Sequence, residues 1–251
     1  MLSAERRQII ADLTQKQSTI RVKDLCARFD ASESTIRRDL EHLERQGILK
    51  RTYGGAVAVG GETTIEPRPV DKLDPEKRRI GAAAADLITE GETIYLGSGT
   101  TTLAVAYHLV NKPGITVVTN ALNVATYLTE RSQVPVLLTG GQIDRREVAL
   151  LGHLAELTLQ ELRADRAVIG VHGIHVPDGL TAESLAGAQV LRTVIDMMPQ
   201  VTVVADAHKW GRVGPAFLAS LDAIDTIVTG LDAPAAMVWD LTELGIKVVQ
   251  T

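Results

Sequence analysis

One cysteine, Cys26, in 251 residues excludes a disulfide within the chain and any cysteine-rich zinc site, and it favours a reducing, cytoplasmic compartment. Aromatic residues are scarce as well: two Phe, two Trp and four Tyr. The core must therefore be built from Ala, Val, Ile and Leu. No apolar run approaches the ~20 residues of a membrane span. The longest uncharged stretch, Thr93 to Asn111, is interrupted by Ser98, Thr100–Thr102 and His108. The opening MLSAERRQII is charged and lacks the apolar core of a secretory signal.

What is present is ordinary for a globular protein, with 45% hydrophobic and 23% charged residues, which excludes wholesale disorder and a coiled-coil rod. The length predicts one large domain, or a small one followed by a medium one. The net charge of −5 is unevenly spread. Residues 1–60 carry 11 Lys and Arg against 8 Asp and Glu, a net +3, leaving 15 against 23, a net −8, for 61–251. A basic module on an acidic body is expected.

Residues 1–59 read as three short helices and a hairpin. Ser3 is placed to cap a first helix with Ile9, Ile10 and Leu13 inward, ending near Gln17–Ser18. Val22, Leu25, Cys26 and Phe29 follow the i, i+3, i+4, i+7 stripe of a second helix, on which Cys26 is a small buried apolar residue. Ser32 is a good N-cap for a third helix that runs to about Gln46 and stops at Gly47, with Ile36, Leu40 and Leu43 inward. With Ile36 at 0° and ~100° per residue, Ser34 falls near 160° and Arg38 near 200°, with Thr35 and Arg37 on the flanks. Ile48–Thr52 and Ala56–Val59 flank Tyr53–Gly54–Gly55, a hairpin signal. Residues 60–79, with Pro67, Pro69 and Pro75, read as a linker.

A turn followed by a helix with Arg and hydroxyls outward suits the DNA major groove, where Arg bridges guanine O6 and N7. The hairpin then acts as a wing, with Lys50 and Arg51 at its base near flanking phosphates. The competing reading is a helical oligomerisation module with a solvated charged face; the capped helix, turn and wing together favour DNA. Here the stretch 32–55, SESTIRRDLEHLERQGILKRTYGG, resembles the winged helix-turn-helix of DeoR-type repressors, with its TIRRDL recognition helix and Gly-Gly wing. Tyr53 stands where many members have His. The resemblance implies that Ser34, Thr35, Arg37, Arg38, Lys50, Arg51 and Tyr53 face DNA.

From Ile80 the pattern alternates between helices and apolar β-prone runs: Thr93–Leu96, Ile115–Thr119, Val134–Leu138, Ala167–Gly170, Val201–Ala205, Thr226–Thr229 and Ile246–Val249. An open, mainly parallel α/β domain over 80–251 is expected. In such sheets ligands bind beyond the carboxyl ends of the strands, where this chain has Gly, Thr and Asn. The loop Gly97–Ser98–Gly99–Thr100–Thr101, between a strand and a helix, suits a phosphate.

This half is similar to the DeoR-family sensor domain, related in fold to ribose-5-phosphate isomerase, through GSGTT at 97–101, TN at 119–120, GG at 140–141, G-x-x-G-I at 170–174, GLT at 179–181 and D-x-x-K at 206–209. The resemblance implies that Ser98, Gly99, Thr100, Thr101 and Thr102 hold a phosphate with help from Lys209, with Gly97 in the same site. It implies that Asn120, Gly141, His172, Gly173, Thr181 and Asp206 line the same site. Gly97 and His172 replace acids of the family pattern, so the expected ligand is not a simple pentose phosphate. His172, His175, His208 and Asp206 match no zinc spacing, and no metal or cofactor is expected. The G-x-x-G-I loop holds no carboxylate to shuttle protons; only Glu183 and Asp206 lie near, which argues against an enzyme.

The sequence thus predicts a cytoplasmic, DNA-binding transcriptional repressor of a carbohydrate-metabolism operon, a homodimer or homotetramer controlled by a phosphorylated sugar or related metabolite. A sugar-phosphate isomerase-like enzyme on a DNA-binding anchor is the alternative. A third is a body that only oligomerises while DNA is bound constitutively.

Overall fold

Apolar residues spaced for two helices, then a Gly-bearing hairpin, shape the first of two units into which contacts divide the chain, Met1–Thr63 and Thr64–Thr251. The computed structural model describes residues 6–7, 9–11, 13–14, 19–45, 48–52, 54–58 and 73–251. In the first unit the described residues of 6–14 are helical. Strand β1 (Thr19–Arg21) leads into the helix Val22–Phe29, which ends at Asp30 in the left-handed region, φ +47°, a conformation Asp tolerates. The helix Glu33–Arg45 follows, then β2 (Leu49–Thr52) and β3 (Gly55–Ala58). Ile10, Val22, Leu25, Ile36, Leu40, Leu43 and Leu49 close one core, and Cys26 packs against it half-buried.

The sequence reading missed β1, which adds to the hairpin in the order β1-β3-β2. It also placed Gly55 in the turn. Thr52 pairs directly with Gly55, so Gly55 is the first residue of β3, and any Cβ there would collide with the Ile20 carbonyl oxygen of β1. Close approach of a third strand explains the second glycine of the pair. Ser3, Gly47 and Tyr53 lie outside the described residues.

In the second unit all seven expected runs become strands of one parallel sheet, in the order β15-β14-β12-β9-β4-β5-β6. They are β4 (Thr93–Leu96), β5 (Thr116–Thr119), β6 (Val136–Leu138), β9 (Arg166–Gly170), β12 (Val201–Ala205), β14 (Thr226–Thr229) and β15 (Lys247–Gln250). Alternate residues enter two cores: Tyr95, Val118, Ile169, Val203 and Ile227 on one face, Ile94, Val117, Val168, Val204 and Val228 on the other. Burial of both faces is why the five inner strands read as continuous apolar runs, while the edge strands β6 and β15 are apolar in sequence but partly exposed.

Two small antiparallel sheets escaped the sequence reading: β7 (Gln142–Asp144) with β8 (Ala149–Leu151), and β10 (Gly173–His175) with β11 (Gly179–Ala182) and β13 (Ala216–Ala219). The linker expectation needs correcting at its end. Residues 75–79 belong to the helix Pro75–Asp86, capped by Asp74, whose side chain accepts the Glu76 N–H at 2.8 Å. Proline at the first helical position fits a helix start rather than a break. Gly81 lets this helix press on Thr100–Leu109, since a Cβ there would stand 2.6 Å from the Ala104 carbonyl oxygen. No helix among the described residues is long and apolar enough to cross a membrane.

Candidate functional site

In the first unit the helix Glu33–Arg45 buries Ile36, Asp39, Leu40 and Leu43, which turns Ser34, Arg37 and Arg38 to solvent and leaves Thr35 half-buried. At its start Ser32 Oγ lies 3.0 Å from Ser34 Oγ and 2.9 Å from Thr35 Oγ1, and accepts the Thr35 N–H at 3.3 Å. Hydroxyls therefore crowd the positive end of the helix. Arg37 pairs with Glu33 at 3.3 Å. Arg51, at the wing base, is more firmly held: Glu44 accepts its Nε–H at 2.7 Å and its backbone N–H at 2.8 Å. The Lys50 side chain lies outside the described residues.

Two structural partners went unread in the sequence. Asp39, ~300° around the helix from Ile36, is buried and accepts a 2.6 Å hydrogen bond from Arg6 Nε, which ties the first helix to the exposed one. Glu44 is the second, and only the fold brings it to Arg51.

In the second unit β4 leads outward to β5 and β6 on one side, while the chain returns to β9, β12, β14 and β15 on the other. The sheet thus reverses direction between β4 and β9, the point at which open α/β sheets have their ligand crevice beyond the carboxyl ends of the strands. The Gly97 N–H donates to the Val168 carbonyl at 3.0 Å, and a Cβ at Gly170 would meet the Ser98 carbonyl oxygen at 3.4 Å. The two expected loops, after β4 and after β9, therefore flank this point. Gly99 precedes the helix Thr100–Leu109 at φ +129°, a conformation that favours glycine. The helix ladder begins with the Leu103 N–H on the Gly99 carbonyl at 3.0 Å, so the first-turn amides are the ones free to meet an anion.

The expected residues separate by what they touch. Ser98 is half-buried and Thr100 exposed at the crevice, and Thr101 is buried beside them. Thr102 is spent inside the turn, donating to the Gly99 carbonyl at 2.9 Å. Asn120 is 2% exposed and used at both ends. It accepts from Tyr95 Oη at 2.7 Å and donates to the Leu150 carbonyl at 3.1 Å, so it fixes the β7–β8 hairpin over the end of β5. Gly141, φ +132°, passes against Leu151 in that hairpin. Thr181 accepts the Gly214 N–H at 2.8 Å, and Gly173 lies directly under the Arg212 carbonyl. At all four positions the side chain, or its absence, serves neighbouring backbone.

The charged groups stand after β9 and β12. Asp206 is 3% exposed, accepts the His208 N–H at 3.1 Å and faces Lys77 Nζ at 3.3 Å. Burial pulls the Lys209 ammonium below its ordinary pKa, Asp206 opposes this, and the neighbouring cations Lys77 and Arg212 add to it. Burial, then Arg212 and Lys209, likewise lower His172, whose Nδ1 lies 3.8 Å from Glu183. Crowded, partly desolvated cations near amides without helix partners are chemically suited to an anion. Sequence reading missed Glu76 and Lys77, which fell in the expected linker. It also missed Glu147, whose carboxylate accepts the Ser184 hydroxyl at 2.6 Å and fills the space of a side chain at Gly187. Among the described residues no group of three His, Cys, Asp or Glu is placed to hold a metal.

Residues 6–60 match the family model described as the DeoR-like helix-turn-helix domain, and residues 74–231 match that of the DeoR C terminal sensor domain. The chain is 33% identical over 251 residues to a putative aga operon transcriptional repressor of Escherichia coli O157:H7, covering 98% of this chain and 93% of the relative. It is 34% identical over 252 residues to the HTH-type transcriptional regulator GlpR of Haloferax volcanii, covering 99% and 98%. It is 29% identical over 249 residues to the glycerol-3-phosphate regulon repressor of Escherichia coli K12, covering 98% of each. Among solved structures, ribose 5 phosphate isomerase A from Neisseria gonorrhoeae aligns over 53% of this chain and 52% of its own, at 17% identity and a TM-score of 0.40.

Proposed function

Because the chain belongs to the DeoR family of DNA-binding transcriptional regulators, we propose that it represses a carbohydrate-metabolism operon in the cytoplasm, and that a phosphorylated sugar or related metabolite controls it. The observation that supports this reading is at the reversal between β4 and β9, where Ser98, Thr100 and the first-turn amides of Thr100–Leu109 lie, and where Lys77 joins Thr100 to Asp206, three residues before Lys209. The body is acidic overall, so only such a local concentration of donors attracts an anion. In the other unit Ser34, Thr35 and Arg38 enter the major groove of operator DNA, and Arg37, Lys50, Arg51 and Tyr53 meet its flanks. The ligand acts by binding more tightly to one of two arrangements of the protein, since equal affinity for both shifts nothing.

The test is operator binding by fluorescence anisotropy, with and without a panel of sugar phosphates. At least one is expected to change operator affinity, and Thr101→Ala and Lys209→Ala to reduce that change. A panel without effect on operator affinity overturns the reading.

A further inference from the structure

The helix Pro75–Asp86 is the first described element after the wing strand β3, and its first turn touches the crevice twice. Lys77 Nζ donates to Thr100 Oγ1 at 2.9 Å and lies 3.3 Å from Asp206 Oδ2. An ammonium has three donors, so one is left over. Thr100 opens the helix Thr100–Leu109, whose free amides point the same way. One residue earlier, Glu76 Oε1 accepts the Ala207 N–H at 2.9 Å, and its carboxylate occupies the space that Gly230 leaves by lacking a side chain. The Asp206–Ala207 segment is thus gripped by both residues of a single helical turn. That turn is capped by Asp74, where the chain arrives from the DNA-facing unit.

We infer that Lys77 is a direct ligand of the effector's phosphate, and that the Glu76–Lys77 turn conveys binding to the segment joining the two units; this rests on the effector reading above. Asp206 is buried and holds Lys77 without ligand. A dianionic phosphate at the amides of Thr100–Leu109 offers Lys77 a second, stronger partner, in competition with Asp206. Moving the ammonium from one to the other alters one of the two contacts that tie the start of the helix to the Asp206–Ala207 segment. Glu76 supplies the other and stays on Ala207. Lys77 is then the residue shared by the ligand site and the first described helix of the second unit, and Glu76 is a positioning residue that keeps the turn attached to the loop after β12.

The experiment uses the full chain. Calorimetry measures affinity for glucose 6-phosphate, fructose 1-phosphate, glucosamine 6-phosphate, glycerol 3-phosphate and inorganic phosphate. Anisotropy measures the ratio of operator affinities with and without each probe at saturation. Lys77→Met is expected to weaken the active probe tenfold or more and to bring the ratio close to one. Lys77→Arg keeps the charge but not the donor geometry, and is expected to weaken the probe two- to fivefold; it serves if the Met variant does not fold. Glu76→Ala is expected to leave probe affinity within twofold while cutting the operator response at least fivefold, a separation that simple loss of the ligand site does not produce. If the wild type responds and the Lys77 variants bind and respond as it does, the Lys77 assignment falls alone. If Glu76→Ala responds fully, the conveying role of the turn falls. A wild type whose operator affinity no probe changes overturns the effector reading and this inference together.

Discussion

Arg38 and Arg51 differ in what already holds them, and their substitutions are expected to differ accordingly. Arg38 is exposed on the outward face of its helix. Arg38→Ala should cost about 1–3 kcal/mol of operator binding and relax the preference at one base pair, as read by competition between single-base operator variants. Arg51 is bridged to Glu44, which raises its pKa through the hydrogen bond and the charge alike, so part of its charge is answered within the protein. Arg51→Ala should weaken all sequences alike and reduce the salt slope by less than the ~0.9 of an unpaired phosphate contact. Glu147 gives a prediction about pH. Burial raises its carboxyl pKa from 4.5, the Ser184 hydroxyl opposes this, and Asp144 and Glu183 add repulsion. Above 4.5 and up to the raised value the folded state holds more of the proton than the unfolded one, so this group's contribution to stability falls as pH rises through that window. Denaturation of Glu147→Gln and wild type at pH 4.5 and pH 7 should show the variant gaining relative stability at the higher pH; an unchanged difference would show that the carboxyl is not perturbed.

At the level of elements, legibility followed the physics of burial. The five inner strands of the parallel sheet are buried on both faces, and the edge strands β6 and β15 keep short apolar runs, so all seven were readable, to within two residues at their ends. β1, β10 and β11 are three or four residues long and mix Gly, Thr, Arg and His, so neither alternation nor a continuous apolar run marked them. The helix Pro75–Asp86 was hidden by its own start signal, because Asp74 and Pro75 ended a stretch with other prolines. That error concealed Glu76 and Lys77, and no local pattern could reveal a partner such as Asp206, more than a hundred residues away. The loops Gly97–Thr102 and Gly170–Gly173 were legible because their glycines follow apolar runs. That Thr102 and Asn120 are consumed in fixing the backbone was not, since a hydroxyl or amide in a sequence does not show which hydrogen bond it makes. The three-stranded arrangement around Gly55 yields its own test. Gly55→Ala forces β1 from β3 and should lower the thermal midpoint of the N-terminal unit well below that of the wild type, by calorimetry; an unchanged profile would mean that β1 does not pair there.

For the molecule as a whole, a single winged helix makes few base contacts, so an assembly that reads two half-sites is expected. β6 is an edge of the parallel sheet. It carries Leu137 and Leu138 at 42% and 41% exposure, with Leu154 at 63% on a neighbouring helix, more apolar surface than a lone edge strand usually bares. Light scattering is expected to give the mass of a dimer or tetramer, and Leu154→Lys to shift it toward smaller species; a monomeric wild type, with and without operator DNA, would defeat this. The order in which the sheet is built has a further consequence, for the chain as it leaves the ribosome. β4 is made first yet lies in the interior of the sheet, and β9, which pairs with its second edge, begins only at Arg166. At ~5–20 residues per second, that edge waits about 4–14 s for its partner. Throughout this interval the β4 edge that β9 covers in the finished sheet has no strand to pair with, so an apolar seam is expected to stay open to chaperones until Arg166–Gly170 is made.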